Sequence, residues 1–302
     1  MSSYRVVELM RFGGPQVLTV GARPFLPLAP GDVRVRALAS AVNHSDLHVR
    51  SGDWKIRKAS PFPYVPGLEV VGEAVEVGSE VTRVRVGDRV WTTMQGLGGV
   101  RAEREGGYSE FVTVNEEVLA LLPPKLDPVR FAAIGLAGVT ALESLRRVGD
   151  VAGKTVLVTG ATGGVGAVAV DIAKAHGATV IAQTRTSTLP TAGSVDAVLD
   201  GVAGPAFPAL VAALRPGGCY CAYGAAAGGD VRFDLWNLLE RRVLTGYSSE
   251  DLSGEGLRAA TAELLALSLP SPPTTSMPLE EASRAHALLE RREVRGRIIL
   301  VP

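Results

Sequence analysis

The segment that most constrains the fold runs from Lys154 to Thr184 and reads KTVLVTGATGGVGAVAVDIAKAHGATVIAQT. A short apolar stretch, Thr155 to Thr159, leads into a glycine turn, and small residues follow at helical spacing from Val165 to His176. A second apolar stretch covers Thr179 to Thr184. This order predicts a strand–helix–strand unit of an α/β protein.

The turn between the first strand and the helix resembles the dinucleotide fingerprint, with Ala161 in the first glycine position, then Gly163 and Gly166, and with Gly164 as an extra glycine. Glycines let the backbone bend sharply and approach a pyrophosphate, whose charge is stabilised by N–H groups at the helix N-terminus. The turn therefore predicts a cofactor site that includes Val165 as well as these four residues. The alternative is a turn with a purely structural role.

The end of the second strand distinguishes the two nicotinamide cofactors. An acidic residue there would bind a free ribose 2′-hydroxyl and repel a 2′-phosphate, but the chain reads Gln183, Thr184, Arg185, Thr186, Ser187. One cation and several hydroxyls suit a phosphate. We therefore expect NADPH to be the cofactor, with Thr184 and Arg185 in its site. The alternative for Arg185 is a solvated surface charge.

Length and charge limit the remaining possibilities. A chain of 302 residues suggests about two domains, and 46% hydrophobic residues indicate a globular protein. The formal net charge is zero and no long run of Lys or Arg occurs, so neither a nucleic acid nor an anionic membrane is an expected partner. The N-terminal residues lack the apolar core of a signal peptide, and no uncharged stretch is long enough to span a bilayer. We expect a cytoplasmic protein that binds a small molecule.

The first third of the chain predicts a mainly β domain, from alternation in Val33 to Arg36 and Val84 to Val86. After LLPPKLDP the spacing predicts a helix over Phe131 to Arg147 that starts at Asp127-Pro128, which places a domain border near residue 123. Cys219 and Cys221 lie two apart in a predicted strand, which disfavours a disulfide between them.

Several longer motifs resemble one family. They are NHSDLHVRSG, PFPYVPGLEVVGEAVEVGSEVTRVRVGDRVW, GGYSEFVTV, AAIGLAGVTAL, the strand–helix–strand unit, LRPGG and EEASRAHALLERREVRGRIILVP. The chain is similar over almost its whole length to the medium-chain dehydrogenase/reductase superfamily, on its zinc-independent quinone oxidoreductase branch.

The resemblance implies an α/β fold in two parts. A groES-like β-barrel catalytic domain would be formed by residues 1–123 and 268–302, and a Rossmann doubly wound parallel sheet that binds NADP by residues 124–267. The active site is expected in the cleft between the two domains.

The residues that bind zinc in metal-dependent relatives are replaced here. The matching positions are Asn43, Leu68 and, by a less secure alignment, Leu136, and none of these is a good zinc ligand. No cysteine lies between Trp91 and Tyr108, where a structural zinc lobe would fall. We therefore expect no metal.

Loss of zinc changes the feasible reaction, because the metal stabilises an alkoxide or polarises an isolated carbonyl. A quinone or an α,β-unsaturated carbonyl spreads the charge that develops after hydride transfer, so hydrogen-bond donors would suffice. The family activity agrees: hydride passes from NADPH to a quinone or to the β-carbon of an enone.

Three residues are candidates for catalysis. Asn43 would hydrogen-bond a ribose or substrate oxygen, or alternatively cap the following turn. His48 would protonate an enolate, or be a structural histidine. Tyr64 is a second donor, or a core aromatic. Asp46 is expected to orient the turn. Trp54 and Met94 through Leu97 would line the pocket, or alternatively pack in the core.

Family analogy adds cofactor contacts outside the turn. Thr140 in AGVTAL is expected near the pyrophosphate or nicotinamide ribose, and Tyr223 and Gly224 follow the strand at whose carboxyl end the nicotinamide would lie. Tyr247 would reach the same cleft or pack in the core.

One departure from the family concerns the sheet. Only the ten residues from Arg185 to Ser194 precede the next predicted strand, Val195 to Asp200, and ten residues span at most about 35 Å. We expect the sheet to lack an edge strand and its covering helix, which would weaken adenosine binding or expose that end of the cofactor. The free sheet edge, together with the homodimers that are common in the family, predicts a homodimer.

Two other functions stay open. A degenerate reductase fold would serve as a pocket for non-redox cyclisation or isomerisation of a polyketide-like compound. A ligand-sensing or RNA-associated binding role is the other alternative, and the zero net charge counts against it.

Overall fold

The computed structural model describes residues 2–54, 62–94, 97 and 104–302. The chain forms two compact units: the first contains residues 1–136, 250–261 and 271–302, and the second contains residues 137–249 and 262–270. The sequence-based borders after residues 123 and 267 stay predictions. None of the helices in the described part of the chain is long and apolar enough to cross a membrane.

The strands are numbered in chain order. They are β1 (Ser3–Leu9), β2 (Leu18–Pro24), β3 (Asp32–Ala41), β4 (Glu69–Val77), β5 (Arg89–Thr93), β6 (Phe111–Asn115), β7 (Ala120–Leu121), β8 (Thr155–Val158), β9 (Thr179–Ala182), β10 (Val195–Asp200), β11 (Leu214–Ala222), β12 (Val243–Gly246), β13 (Thr274–Pro278) and β14 (Arg297–Val301).

The α-helices are numbered in the same way. They are α1 (His44–Ser51), α2 (Pro128–Ala132), α3 (Gly135–Val148), α4 (Gly164–Ala175), α5 (Phe207–Ala213), α6 (Trp236–Leu239), α7 (Gly254–Ala266) and α8 (Ala282–Glu290). Asp127 caps α2 by accepting a hydrogen bond from the Val129 N–H at 2.9 Å, as the sequence predicts. The single helix predicted over Phe131 to Arg147 is divided into α2 and α3.

The first unit is built on strands. β1 and β2 pair as an antiparallel hairpin, and a larger sheet has the order β13-β14-β3-β4-β5-β7, with β6 also pairing with β3. The family resemblance implies a groES-like domain for this part of the chain, and the pairings among the described strands run in one path from β13 to β7.

Alternation predicts one strand of this unit correctly and another wrongly. Val33 and Val35 are buried in β3. Val84 to Val86, in contrast, is a loop, because Arg85 to Asp88 form a turn: the Asp88 N–H donates to Arg85 O and the Arg85 N–H donates to Asp88 Oδ2. Three alternating residues are too few to outweigh a Gly-Asp turn signal.

The second unit contains a five-stranded parallel sheet with the order β12-β11-β10-β8-β9. The predicted strand–helix–strand unit is confirmed as β8, α4 and β9. β9 ends the sheet, and residues 183–194, all of them described, contain neither strand nor helix. The predicted loss of an edge strand and its helix is therefore confirmed.

The core of the second unit packs α5 on one face of this sheet. Leu157, Val198 and Tyr220 from the sheet form one buried apolar cluster with Phe207 and Leu210 of the helix. Burial of such side chains stabilises the unit by about 1.5–3 kcal/mol each. Cys219 and Cys221 on β11 are both free thiols, as predicted.

Candidate active site

Asn43 is positioned by the pairing of β14 with β3. It follows β3 directly and precedes α1. β14 is antiparallel to β3 with Ile299 opposite Ala41, and continuing that register brings Arg297 opposite Asn43. The Arg297 Nη2 group donates to Asn43 Oδ1 at 2.7 Å.

Glu69 bonds to two of the three positions that the family resemblance matches to zinc ligands. Its Oε1 accepts from Asn43 Nδ2 at 2.9 Å and lies 3.6 Å from Arg297 Nη2, and its Oε2 accepts from the Leu136 N–H at 3.0 Å. Glu69 also follows Leu68 directly. Positions 43 and 136 thus bond directly to one buried carboxylate, and position 68 precedes it in the chain.

The Asn43–Glu69–Arg297 cluster is buried and internally paired. Burial raises the pKa of Glu69 and the Arg297 guanidinium opposes this rise, while burial lowers the pKa of Arg297. The second Nδ2 hydrogen of Asn43 has an acceptor at Ala41 O, 3.3 Å away. Arg297 Nε is a buried donor for which the described residues supply no acceptor.

Asp46 fixes the turn that carries Asn43. Its Oδ2 accepts from the Asn43 N–H at 2.8 Å and its Oδ1 from the Leu68 N–H at 3.0 Å. The residue is fully buried, and this burial raises the pKa of Asp46 to about 7. A carboxyl group in this setting titrates in the range where the protein would work.

The raised pKa of Asp46 predicts a dependence of stability on pH. The group ionises near pH 3.8 in an unfolded chain and near pH 7 in the folded one, so between these values the folded state binds more protons and the free energy of unfolding falls as pH rises. We expect the Tm of the wild type to decrease more steeply between pH 5 and about pH 7.5 than the Tm of Asp46→Asn. Thermal unfolding at a series of pH values measures both slopes. Asp53→Asn, at an exposed carboxyl, is the control and should keep the wild-type slope. Parallel profiles for the wild type and Asp46→Asn would contradict this account.

The other two predicted catalytic residues, His48 and Tyr64, differ in burial. His48 is on α1 with an exposed side chain, its Nδ1 3.8 Å from Asp53 Oδ2. Tyr64 is buried in the core of the first unit, and this burial raises its pKa. Their catalytic roles stay predictions.

The predicted pocket residues have core neighbours. Trp54 packs against the same core and donates from Nε1 to Glu250 Oε1 at 3.0 Å. Met94 and Leu97 are buried in core clusters, and the two residues between them lie outside the described part of the chain. Core packing is the role that these contacts support.

The nucleotide turn of the second unit has the geometry of a phosphate cradle. Gly160 adopts a φ of +57°, and Gly163 donates its N–H to Gly160 O at 2.8 Å. A Cβ at Gly166 would lie 2.2 Å from Gly160 O, so only glycine permits the close approach of α4 to this turn. The N–H groups in the first turn of α4, at Gly164 and Val165, have no acceptor within the helix and are available to a pyrophosphate.

The chain beyond β9 offers polar groups at the same end of the sheet. Ala161 donates its N–H to Gln183 O at 3.0 Å, which joins the cradle to the end of β9. Thr184 Oγ1 lies 2.9 Å from Ser187 Oγ, and the Arg185 side chain is exposed. These groups fit the 2′-phosphate of a dinucleotide, and the cradle fits its pyrophosphate.

The residues after β11 lie beside the cradle. Tyr223 donates its N–H to Asp200 O at 2.8 Å, and its hydroxyl donates to Thr159 O at 3.3 Å. A Cβ at Gly224 would lie 3.0 Å from Gly201 O. The carboxyl ends of β8, β10 and β11 thus meet at one edge, where a doubly wound sheet binds its ligand.

Thr140 and Tyr247 have neighbours elsewhere in the second unit. The Thr140 hydroxyl on α3 is 3.2 Å from Ser249 Oγ. The Arg147 guanidinium lies over the Tyr247 ring, with Cζ 6.0 Å from the ring centroid.

Sequence reasoning missed three residues of these sites. Glu69 had a local signal, because an acid in the apolar run VPGLEVV follows a replaced ligand position directly. Gly160 also had one, since it precedes the first fingerprint position. Arg297 had none, because it is 254 residues from Asn43.

Comparisons with known proteins place the chain in a family. The alcohol dehydrogenase GroES-like domain matches residues 29–124, and the zinc-binding dehydrogenase domain matches residues 176–300. The quinone oxidoreductase of Pseudomonas aeruginosa is 30% identical over 336 residues, which cover 98% of this chain and 99% of that protein. The quinone oxidoreductase of Sus scrofa is 36% identical over 177 residues, or 58% of this chain and 51% of the relative. The chain spans about half the length of the mammalian relatives that it matches.

A solved structure extends the likeness to the fold. The Escherichia coli quinone oxidoreductase complexed with NADPH is 25% identical, with a TM-score of 0.85 over 99% of this chain and 100% of that one. A GroES-like unit together with a parallel sheet of strand–helix–strand units is the architecture of one family of proteins. The chain belongs to the medium-chain dehydrogenase/reductase superfamily and, within it, to the zinc-independent quinone oxidoreductase branch.

Proposed function

We propose that this protein is an NADPH-dependent reductase that transfers hydride to a quinone or to the β-carbon of an α,β-unsaturated carbonyl. The observation that carries the proposal is the Asn43–Glu69–Arg297 cluster, in which an amide bound by a carboxylate and a guanidinium occupies the place of a metal ligand. The relatives named quinone oxidoreductase support it.

The acceptor follows from the chemistry of this cluster. Leu68 and Leu136 cannot ligate a metal, so an isolated carbonyl would have no Lewis acid among these side chains. A conjugated acceptor spreads the charge over its own atoms and needs only oriented hydrogen-bond donors. Asn43, polarised by Arg297, is the donor we assign to the acceptor oxygen. This role requires Asn43 to exchange its 3.3 Å bond to Ala41 O for the substrate. His48 on the exposed side of α1 is the assigned proton donor.

The cofactor is assigned to the second unit. When bound, NADPH supplies the hydride from C4 of its nicotinamide. Gly163, Gly164 and Gly166 admit the pyrophosphate to the N-terminus of α4, and Thr184 and Arg185 bind the 2′-phosphate. The complex of the E. coli relative with NADPH supports this assignment.

A two-stage experiment tests the proposal. Fluorescence titration with NADPH should saturate in the micromolar range, and NADPH oxidation should then follow addition of a simple quinone or an enone but not of a saturated aldehyde. Turnover of the saturated aldehyde at the same rate would contradict the role of conjugation. Absence of saturation at millimolar NADPH would favour the non-redox pocket.

Arg185 is predicted to set the preference for NADPH. We expect Arg185→Ser to raise the KM for NADPH about tenfold and to leave that for NADH within about twofold, because a charge-assisted bond to the 2′-phosphate is worth about 1.5–3 kcal/mol. Steady-state kinetics with both cofactors measure the effect, with Arg11→Ser, an exposed arginine of the first unit, as the control. An equal change for both cofactors would place Arg185 outside the phosphate site.

We propose that the protein is a homodimer through the β12 edge of the second unit. Trp236 on α6 is 73% exposed, and Leu235, Leu239 and Val243 beside it in sequence are also exposed. A cluster of large apolar side chains at a sheet edge marks an interface.

Trp236→Glu should convert the dimer to a monomer, since a charge at the centre of an apolar interface is left without solvation. Size-exclusion chromatography with light scattering should give about twice the chain mass of 31.5 kDa for the wild type and one chain mass for the variant. Val86→Glu, at an exposed valine of the first unit, should stay dimeric. A monomeric wild type or a dimeric Trp236→Glu would contradict the proposal.

A further inference from the structure

The two halves of the nucleotide-binding sheet differ in size. In a doubly wound sheet, three strands on each side of the central crevice form the two mononucleotide halves, with the adenosine half containing the first strand–helix–strand unit. Here β10, β11 and β12 supply three strands to one half, whereas the described residues supply two strands, β8 and β9, to the other. The adenosine half therefore lacks its outer strand.

The segment after β9 contributes one side chain to the core of the sheet but no strand or helix beside the adenosine site. Gly193 and Ser194 donate their N–H groups to Ala212 O and Ala213 O at the end of α5, at 3.0 and 2.9 Å. Leu189 packs against the apolar cluster that also contacts Ile181 of β9. Leu189 thus joins the apolar cluster on the α5 side of the sheet, and nothing in residues 183–194 pairs with the outer edge of β9.

The side chains that this segment exposes suit a phosphate and not a base. Residues 185–188 are an arginine, two threonines and a serine, all of them exposed. Guanidinium and hydroxyl groups bind phosphate oxygens, whereas an adenine ring is held by apolar and aromatic surfaces on its faces. The one large apolar side chain of the segment, Leu189, is turned to the core.

We propose that this site recognises the 2′-phosphate of the dinucleotide and leaves the adenine base unenclosed, so that it accepts dinucleotides with an enlarged base. This inference rests on the proposed NADPH site. Its ligand class is the nicotinamide dinucleotide 2′-phosphates, irrespective of the substituents on the purine edge.

A factorial binding experiment tests the proposal with four oxidised ligands: NADP⁺, NAD⁺ and the 1,N6-etheno derivative of each. Isothermal titration calorimetry of the full chain should give dissociation constants that differ by less than about threefold between each etheno ligand and its parent. Removal of the 2′-phosphate should weaken binding by at least about tenfold with either base. In Arg185→Ser, the dissociation constants of ligands with and without the 2′-phosphate should become equal, and the ratio between each etheno ligand and its parent should stay as in the wild type.

Fluorescence quenching supplies a second readout that does not depend on activity. Acrylamide should quench the bound etheno-adenine at least about half as well as it quenches free etheno-adenosine, because an unenclosed ring stays accessible to small solutes. Etheno-NADP⁺ that binds more than threefold weaker than NADP⁺, or that is shielded from acrylamide, would overturn this inference alone. Failure of NADP⁺ itself to bind at millimolar concentration would overturn the proposed function as well.

Discussion

Replacing Arg297 with methionine is expected to lower the free energy of unfolding by about 3–5 kcal/mol, because removal of one partner leaves a buried charge without compensation. Glu69 is fully buried, and its guanidinium partner is the Arg297 side chain of the same cluster. Urea unfolding followed by fluorescence measures the change. Quinone reduction by the folded fraction of the variant should also fall, since Asn43 loses the group that holds its Oδ1.

Two further variants separate the charge effect from simple loss of packing. Glu69→Gln combined with Arg297→Met removes both charges and should recover part of the lost stability. Arg295→Met, an exposed arginine two residues away, should change the free energy of unfolding by less than about 0.5 kcal/mol. If Arg297→Met is as stable as Arg295→Met, the cluster is not the paired charge site that we describe.

Gly166→Ala is expected to weaken NADPH binding by at least about tenfold and to lower the Tm, because the new methyl would meet backbone and not a movable side chain. The Cβ would lie 2.2 Å from Gly160 O and 2.7 Å from Gly160 C. Helix α4 must therefore move away from the turn, and its N-terminal N–H groups move with it. Fluorescence titration with NADPH measures the binding.

The other glycines of the second unit give a graded control series. A Cβ at Gly163 would lie 3.2 Å from Gly160 O, so Gly163→Ala should have a smaller effect. Gly229→Ala meets only Ala225 Cβ at 3.9 Å and should bind NADPH like the wild type. Equal affinity of Gly166→Ala and Gly229→Ala would show that the turn does not approach the cofactor.

The sequence predicted the second unit in most of its parts because its signals are local. Strand β8, the glycine turn and helix α4 follow one another within about twenty residues, and each has its own pattern. The missing edge strand was also predictable, because ten residues from Arg185 to Ser194 cannot contain a helix and a strand. Chain length alone was sufficient for that conclusion.

The first unit was harder to predict because its site depends on pairing between distant strands. Arg297 reaches Asn43 only because β14 pairs with β3 in one particular register. Nothing near Arg297 in the sequence indicates that register. The alternation at Val84 to Val86 is misleading for a different reason, since the Gly87-Asp88 turn signal follows it directly and Arg85 to Asp88 form a turn.

Turnover by metal-free protein tests the central claim most directly. Protein treated with 1,10-phenanthroline and dialysed against chelated buffer should oxidise NADPH with a quinone at a rate within about twofold of untreated protein, because the acceptor and not a Lewis acid stabilises the developing charge. Added zinc should not increase the rate. A loss of activity on chelation that zinc restores would contradict the account.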